Sequence, residues 1–321
     1  MVAETLIAVL ADGRFHSGET LAASAGVTRG AIWKQVAKLA ALGIEVERVP
    51  GRGYRILGGL DLLDADAVRA ALPADIRDTV DALEVRRTIA STNAHLMEHA
   101  GTGRCEVCLA EHQSAGRGRM GRRWVSPFGA NLYLSVAWTF DAVPPGIQAL
   151  ALAAAVAVAE ALDPDRAHGV RIKWPNDLVV GERKLGGVLV ELRGEPPGRS
   201  RAVVGIGINL RMPASAAPAI DQPWIDLAAL GLVPTLRSVL AASVVAAEIA
   251  MLARFAREGF APFRERWQAR DALRGREVRV TSADGEQLGV ARGIDRDGAL
   301  EFETGSGPRR VLAGEVSVRA R

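Results

Sequence analysis

The sequence predicts an α+β protein in three parts. Residues 1–61 form a small helical unit ending in a basic hairpin. Residues 62–272 form a central α+β domain with a mostly antiparallel sheet, and residues 273–321 form a small all-β unit. Three observations carry this reading. The first 60 residues show three short helical periods and then two strand-like runs. The middle mixes helices with hairpins close in sequence and has no linker rich in Pro, Gly or Ser. The tail holds only short alternating runs punctuated by Asp284-Gly285, Asp297-Gly298 and Gly305-Ser306-Gly307.

In chain order, residues 2–10 repeat apolar residues at helical spacing until Gly13 breaks the pattern. Ser17 caps a second helix over 18–25, and Gly26 with Val27 supplies a tight turn. Thr28 caps a third helix that runs to about Leu42 and stops at Gly43. Ile32, Val36 and Leu39 give that helix an apolar stripe and leave Arg29, Lys34 and Lys38 outward. Strands over 44–49 and 54–57 are joined by Pro50-Gly51-Arg52-Gly53. This is the pattern of a winged helix-turn-helix DNA-binding domain, with the third helix suited to a major groove and Arg52 at the wing tip. Seven basic against five acidic residues leave residues 1–60 near +2. One copy would attract phosphate weakly, so useful binding implies a dimer on paired half-sites.

In the middle, helices are predicted over 62–71, 92–100, 147–162 and 236–258. Strands are predicted over 107–111, 131–138, 170–174, 178–180, 187–192 and 203–209, with Pro175-Asn176-Asp177 turning one hairpin. The tail strands fall at 278–280, 299–302 and 316–318 and fit a small β-barrel (SH3-like) or sandwich. The composition, 49% hydrophobic and 24% charged, excludes a disordered, collagen-like or disulfide-framework chain. The longest apolar run, 149–159, is too short to cross a membrane. With Glu4 and no basic residue before Arg14, the N-terminus predicts no secretory signal, and two cysteines suit a reducing cytoplasm. A net charge of +3 says little by itself about nucleic acid.

The arginine-to-lysine ratio says more. Arg outnumbers Lys 36 to four, so Lys34, Lys38, Lys173 and Lys184 are candidate positions where a compact ammonium is needed, against the bland reading of chance. The sharpest motif is the loop from Glu111 to Trp124, in which Gly116, Gly118 and Gly121 spell G-x-G-x-x-G. It is no dinucleotide fingerprint, because Pro127-Phe128-Gly129 and a strand follow where a helix must begin. No P-loop exists either. What remains is a glycine-spaced loop with Arg117, Arg119, Arg122 and Arg123 inside seven residues. Guanidinium groups clamp phosphate oxygens in pairs, and their mutual repulsion calls for a bound anion. The second constellation is Lys173-Trp174-Pro175-Asn176-Asp177, then Lys184-Leu185-Gly186-Gly187. Asp177 could coordinate Mg²⁺ carried by a nucleotide, and Asn176 offers a donor and an acceptor. Ser91-Thr92-Asn93 caps a helix and could also read a small polar head group. Gly205-Ile206-Gly207-Ile208-Asn209 puts glycines inside a strand, which suggests close approach of ligand or backbone. Cys105 and Cys108 lack a second pair, and their side chains diverge in a strand, so metal or redox chemistry is not expected there. His95 and His99 share a helix face at i, i+4 and read as a solvated pair; His16, His112 and His168 have no partner at recognisable spacing.

These motifs, in this order, resemble those of biotin protein ligases over essentially the whole chain. The N-terminal winged helix makes the chain similar to the bifunctional ligase/repressor type. Met120 stands where relatives often carry another arginine. The resemblance implies an ATP-dependent biotin–[acetyl-CoA carboxylase carrier protein] ligase. Biotin's carboxylate is activated with MgATP to biotinyl-5′-AMP, and biotin passes to one carrier lysine. By resemblance, Ser91, Thr92 and Gln113 hold the ureido ring, with Asn93, Gly116, Asn176 and Gly187 in the same site. Arg117, Gly118 and Arg119 close over the adenylate, Arg122 holds phosphate, and Trp224 stacks on adenine. Lys184 sits at the carboxylate and α-phosphate, and Lys173, Asp177 and Arg119 join it as catalytic candidates. The implied partners are the carboxylase carrier domain, operator DNA through Arg29, Lys34, Lys38 and Arg52, and a second copy when adenylate is bound. The expected location is the cytoplasm, with no membrane. Two alternatives stay open: a ligand-sensing transcription factor without ligase activity, and a lipoate-type ligase on a related fold.

Overall fold

The computed structural model describes residues 2–98, 103–194, 198–232, 236–282, 285–313 and 317–320. The chain opens with α1 (Val2–Leu10), α2 (Gly18–Ala25) and α3 (Arg29–Ala40), followed by β1 (Val46–Val49) and β2 (Gly53–Ile56). Both expected caps form, with Ser17 accepting from Thr20 N and Thr28 from Ala31 N, and Gly26 takes a left-handed φ of +63° to end α2. Leu6, Leu10, Leu21, Ile32, Leu39 and Ile56 bury together as this unit's core. Arg29, Lys34, Lys38 and Arg52 are exposed, with the Arg52 guanidinium 4.2 Å from the Phe15 ring centroid.

Next come α4 (Ala65–Ala71), α5 (Ala74–Arg77), β3 (Ala82–Arg86), α6 (Thr92–Glu98), β4 (Cys105–Ala110) and β5 (Asn131–Phe140). The chain continues with α7 (Leu150–Leu162), β6 (Val170–Lys173), β7 (Asp177–Val180), β8 (Arg183–Arg193), β9 (Ser200–Asn209), α8 (Arg237–Glu258) and α9 (Ala261–Gln268). The sheet order is β3-β4-β5-β9-β8-β7-β6, and among the described residues β3–β4 is the only parallel strand pair in it. Strand alternation sends Val107 and Leu109 to the large core under α7 and α8, and Cys108 to the opposite face under α6. The polar start of α6 therefore lies on the face away from the main core.

Several expectations shift. The helix expected from 62 begins at Ala65, because Asp64 is its cap and Leu63 N instead donates to buried Glu111 at 2.6 Å. The helix expected over 92–100 is described to Glu98; His99 and Ala100 lie outside the described residues. The strand over 170–174 ends at Lys173, and Trp174 turns into the core, its indole donating to Gly298 O at 3.1 Å. α5, β3 and α9 carried no strong periodic signal; α9, for instance, buries only Phe263 and Trp267. α8 is long and apolar enough to cross a membrane by length and composition alone. Half of its apolar window is buried inside the fold. Ala241, Val244, Val245, Ile249, Leu252 and Phe255 make it a core helix packed against α7, α4 and β5.

The tail forms β10 (Glu277–Ser282), β11 (Gly285–Ile294), β12 (Leu300–Thr304), β13 (Gly307–Val311) and β14 (Ser317–Ala320), in the antiparallel order β13-β12-β11-β10-β14. β11 and β13 were not predicted, being mostly exposed; Val316 lies outside the described residues. This is the small antiparallel β unit expected. Among the described residues its outer strands do not pair with each other, so the sheet is not closed into a barrel. β13 bears the marks of an edge, with Pro308, Arg309 and Arg310 exposed.

Candidate active site

β4 delivers the chain into the arginine loop. Gly118 N donates to Arg122 O at 2.7 Å and Trp124 N to Gly116 O at 2.9 Å, so the loop folds back on itself. At its tip Met120 takes φ +56°, a left-handed conformation uncommon outside glycine. Gly116 admits no side chain: a Cβ there would meet Trp124 O at 2.9 Å and Ser126 Oγ at 3.0 Å. Arg122 is extended and no helix follows, which removes the dinucleotide reading. Arg117 lies 3.0 Å from Glu191 Oε1. Arg119 donates to Ala313 O at 2.9 Å, and burial draws its pKa below the ordinary arginine value. Arg122 and Arg123 are exposed.

A polar relay runs from this loop to α6. Thr92 N donates to Gln113 Oε1 at 2.9 Å, and Ser135 Oγ lies 2.7 Å from Thr92 Oγ1 and 2.6 Å from Asn93 Oδ1. Asn93 Nδ2 then donates to Glu191 Oε2 at 2.8 Å, which brings the path back to Arg117. Ser91, Thr92 and Asn93 are buried, and Ser91 Oγ also accepts from Ala94 N at 3.4 Å, so the cap and the site coexist. Gly205 makes room for this relay, since a Cβ there would sit 2.2 Å from Asn93 Oδ1.

The hairpin builds the other wall. Asp177 is the register partner of Lys173 on one side and of Gly187 on the other. A shift in the β7–β8 register leaves Leu185 unpaired and buried, and such a bulge re-aims its neighbours. Lys184 Nζ then reaches Asp177 Oδ1 at 2.7 Å and lies 5.4 Å from the Trp124 ring centroid. That indole covers Gly207, where a Cβ would fall 2.6 Å from the ring. Lys184 N donates to Pro223 O and Ile225 N to Lys184 O, both at 2.9 Å, which sets half-buried Trp224 beside Lys184. Asn176 donates to Val188 O at 2.8 Å and accepts from Val188 N, closing the hairpin.

Thus Gln113, Ser91–Asn93, the loop, Lys173, Asp177, Lys184, Gly187 and Trp224 gather around the β7–β9 end of the sheet and α6. Sequence reasoning did not single out Trp124, Ser135 or Glu191. Trp124 ends the glycine-spaced arginine loop, whereas Ser135 and Glu191 carry no signal until strands align them. The glycines of β9 accommodate side chains, Asn93 and Trp124, rather than backbone. Cys105 and Cys108 lie on opposite faces of β4, as strand alternation predicts, and burial pushes the Cys105 thiol up to about 12. His95 departs from the solvated reading: its side chain is only 16% exposed and contacts Glu84.

Fold and site together define a ligase-type catalytic domain, with a cationic loop facing a lysine–carboxylate pair, carried behind a winged DNA-binding unit. Residues 85–209 match the biotin/lipoate A/B protein ligase family, 2–55 match an HTH domain, and 274–319 match the biotin protein ligase C terminal domain. The chain is 41% identical over 317 residues to the bifunctional ligase/repressor BirA of Salmonella typhimurium, covering 98% of this chain and 97% of that one. It is 40% identical to BirA of Escherichia coli, covering 98% and 96%. The structure of the biotin protein ligase from Aquifex aeolicus in complex with biotin and ATP aligns with a TM-score of 0.63 at 26% identity, over 75% of this chain and all of that one. The chain belongs to the biotin protein ligase family, in its bifunctional ligase/repressor form.

Proposed function

We propose that the chain is an ATP-dependent biotin–protein ligase that also acts as a transcriptional repressor with biotinyl-5′-AMP as corepressor. The observation that carries the reading is Lys184, paired with Asp177 and stacked on Trp124, opposite a loop of four arginines. A biotin carboxylate oxygen attacks the α-phosphorus of ATP; the bond to the β-phosphate breaks and pyrophosphate leaves. A carrier lysine then attacks the acyl carbon and AMP departs. Two anions meet in the first step, so neutralisation by Lys184, Arg119 and the Mg²⁺ that accompanies ATP as substrate is the main catalytic term. Asp177 keeps Lys184 oriented and would help hold that ion, while Lys173 adds positive charge. Arg122 holds phosphate, and Arg117, Gly118 and Arg119 close over the adenylate so that the loop shields a hydrolysable anhydride from water. Gln113, Ser91, Thr92 and Asn93 offer the mixed donors and acceptors a ureido ring requires. Gly116, Gly118, Asn176 and Gly187 shape the walls, and Trp224 offers a face to adenine.

The functional division is 1–61 for DNA, 62–272 for catalysis and 273–321 as a supporting β unit. The acceptor is the carrier domain of acetyl-CoA carboxylase, and the setting is the cytoplasm. Adenylate binding favours a homodimer, and Arg29, Lys34, Lys38 and Arg52 of its two copies engage an operator.

Incubation with biotin and MgATP, read by mass spectrometry, should trap biotinyl-5′-AMP, and a carrier domain should then gain biotin. No adenylate would overturn the ligase reading in favour of a DNA-binding sensor. Adenylate formation from lipoate in preference to biotin would favour the lipoate-type reading. A dimeric footprint should weaken as salt rises and in Lys34→Ala; salt-independent binding would contradict the operator role.

A further inference from the structure

A second cluster of chemistry-bearing side chains lies beneath α6, apart from the site above. Glu84 on β3 and Cys108 on β4 are register partners in the parallel pair, and His95 projects from α6. One ligand atom from each lies within 4.8 Å of both others. We infer that Glu84, His95 and Cys108 form a zinc-class metal site that fastens α6 to the edge of the sheet.

Donor chemistry, spacing and burial support it. A carboxylate, an imidazole and a thiol form a borderline donor set that suits Zn²⁺ rather than Mg²⁺. At ordinary zinc bond lengths, tetrahedral donors stand roughly 3.3–3.6 Å apart, so donors as much as 4.8 Å apart close by roughly 1.2–1.5 Å and the tighter His95–Glu84 pair opens around the ion. Each ligand comes from a different element, and His95 Nε2 contacts Glu84 Oε1 with the Cys108 sulfur within 4.8 Å of both ligand atoms. Glu84 Oε2 pairs with Arg86 at 2.5 Å, an outer partner that orients a ligating carboxylate. Burial then supplies depth and access together. Cys108 is fully buried in the small apolar cluster with Leu96, Ala137 and Val203, while Glu84 and His95 are half-buried and keep contact with solvent. Binding the ion releases the thiol proton to solvent, and a water completes the fourth position. His95 N donates to Ser91 O, so an ion at His95 restrains the same turn of helix that presents Ser91 and Thr92 to the relay.

The test uses the full-length, tag-free protein, stripped with chelator and titrated with Zn²⁺ or Co²⁺. One equivalent of Co²⁺ should give a near-ultraviolet thiolate-to-cobalt band, and Zn²⁺ should displace it and raise the Tm. Cys108→Ala should abolish the band, and His95→Ala and Glu84→Gln should weaken Co²⁺ affinity at least tenfold. Glu84→Gln keeps the side chain's size, so it tests the ligand without emptying the cluster. A cobalt complex with no thiolate band, a band that survives in Cys108→Ala, or no retained metal would overturn the inference.

Discussion

Two side chains set the chemistry. Lys184 is held between a carboxylate and an indole, so its charge is oriented before any substrate arrives. Lys184→Ala should therefore slow adenylate formation by about a hundred- to a thousandfold with little change in fold, as measured by pyrophosphate release and thermal melting. Arg119 is different: half-buried and bonded to Ala313 O, it ties the loop to the C-terminal unit. Arg119→Gly should loosen retention of the adenylate more than it weakens biotin recognition. Equal leakage from wild type and variant in a release assay would refute the lid role. Glu248 lies outside the site, fully buried with both carboxylate oxygens lacking a hydrogen bond among the described residues. Burial holds its pKa well above the ordinary 4.5, so the folded chain keeps it protonated while the unfolded chain ionises it. Its contribution to stability is thus present in full below about pH 4.5 and is lost as pH rises. Glu248→Leu should stabilise by about 1–3 kcal/mol at pH 8 and by less at pH 5, read from denaturant melts at both values.

At the scale of elements, β9 shows how a strand serves a site by lacking side chains. Gly205 and Gly207 sit two residues apart on one face, so both point at the ligand side of the sheet, where Asn93 and Trp124 fill the space. Gly205→Ala forces Asn93 off Ser135 and Glu191 and breaks the relay between α6 and Arg117. The expected result is a rise in KM for biotin and a drop in Tm of several degrees, measured by steady-state kinetics and calorimetry. The bulge at Leu185 works in the same way, since removing the extra residue would turn Lys184 to the other face.

Across the whole molecule, the three parts share contacts rather than linkers. Four residues beyond Trp124, Phe128 enters the core of the winged unit and its N–H donates to Leu42 O at 3.0 Å. Glu111, fully buried, accepts from Leu63 N, Arg87 and Arg237, and Arg237 in turn bonds Asp61 O and Asn131 O. The arginine loop is thus flanked on both sides by anchors to the N-terminal unit. Phe128→Ala should destabilise that unit by about 3–5 kcal/mol and split calorimetric unfolding into two transitions. A single unshifted transition would show that the contact carries no coupling.

Local signals made the winged unit readable from sequence, because Ser17, Thr28, Gly26 and Gly43 punctuate helices whose apolar stripes follow one period. The arginine loop and both lysine stretches were also legible, since residue type alone marks a charge that must meet an anion. Periodicity could not find α9 or β11, whose buried faces are too narrow to stand out from their charges. Nor could it pair Ser135 with Asn93, seat Trp124 over Gly207, or bring Glu84, His95 and Cys108 together. Composition and local spacing fixed what each segment is made to do. Strand register and packing, which act between residues far apart in the chain, decided which of those segments meet and which atoms face one another.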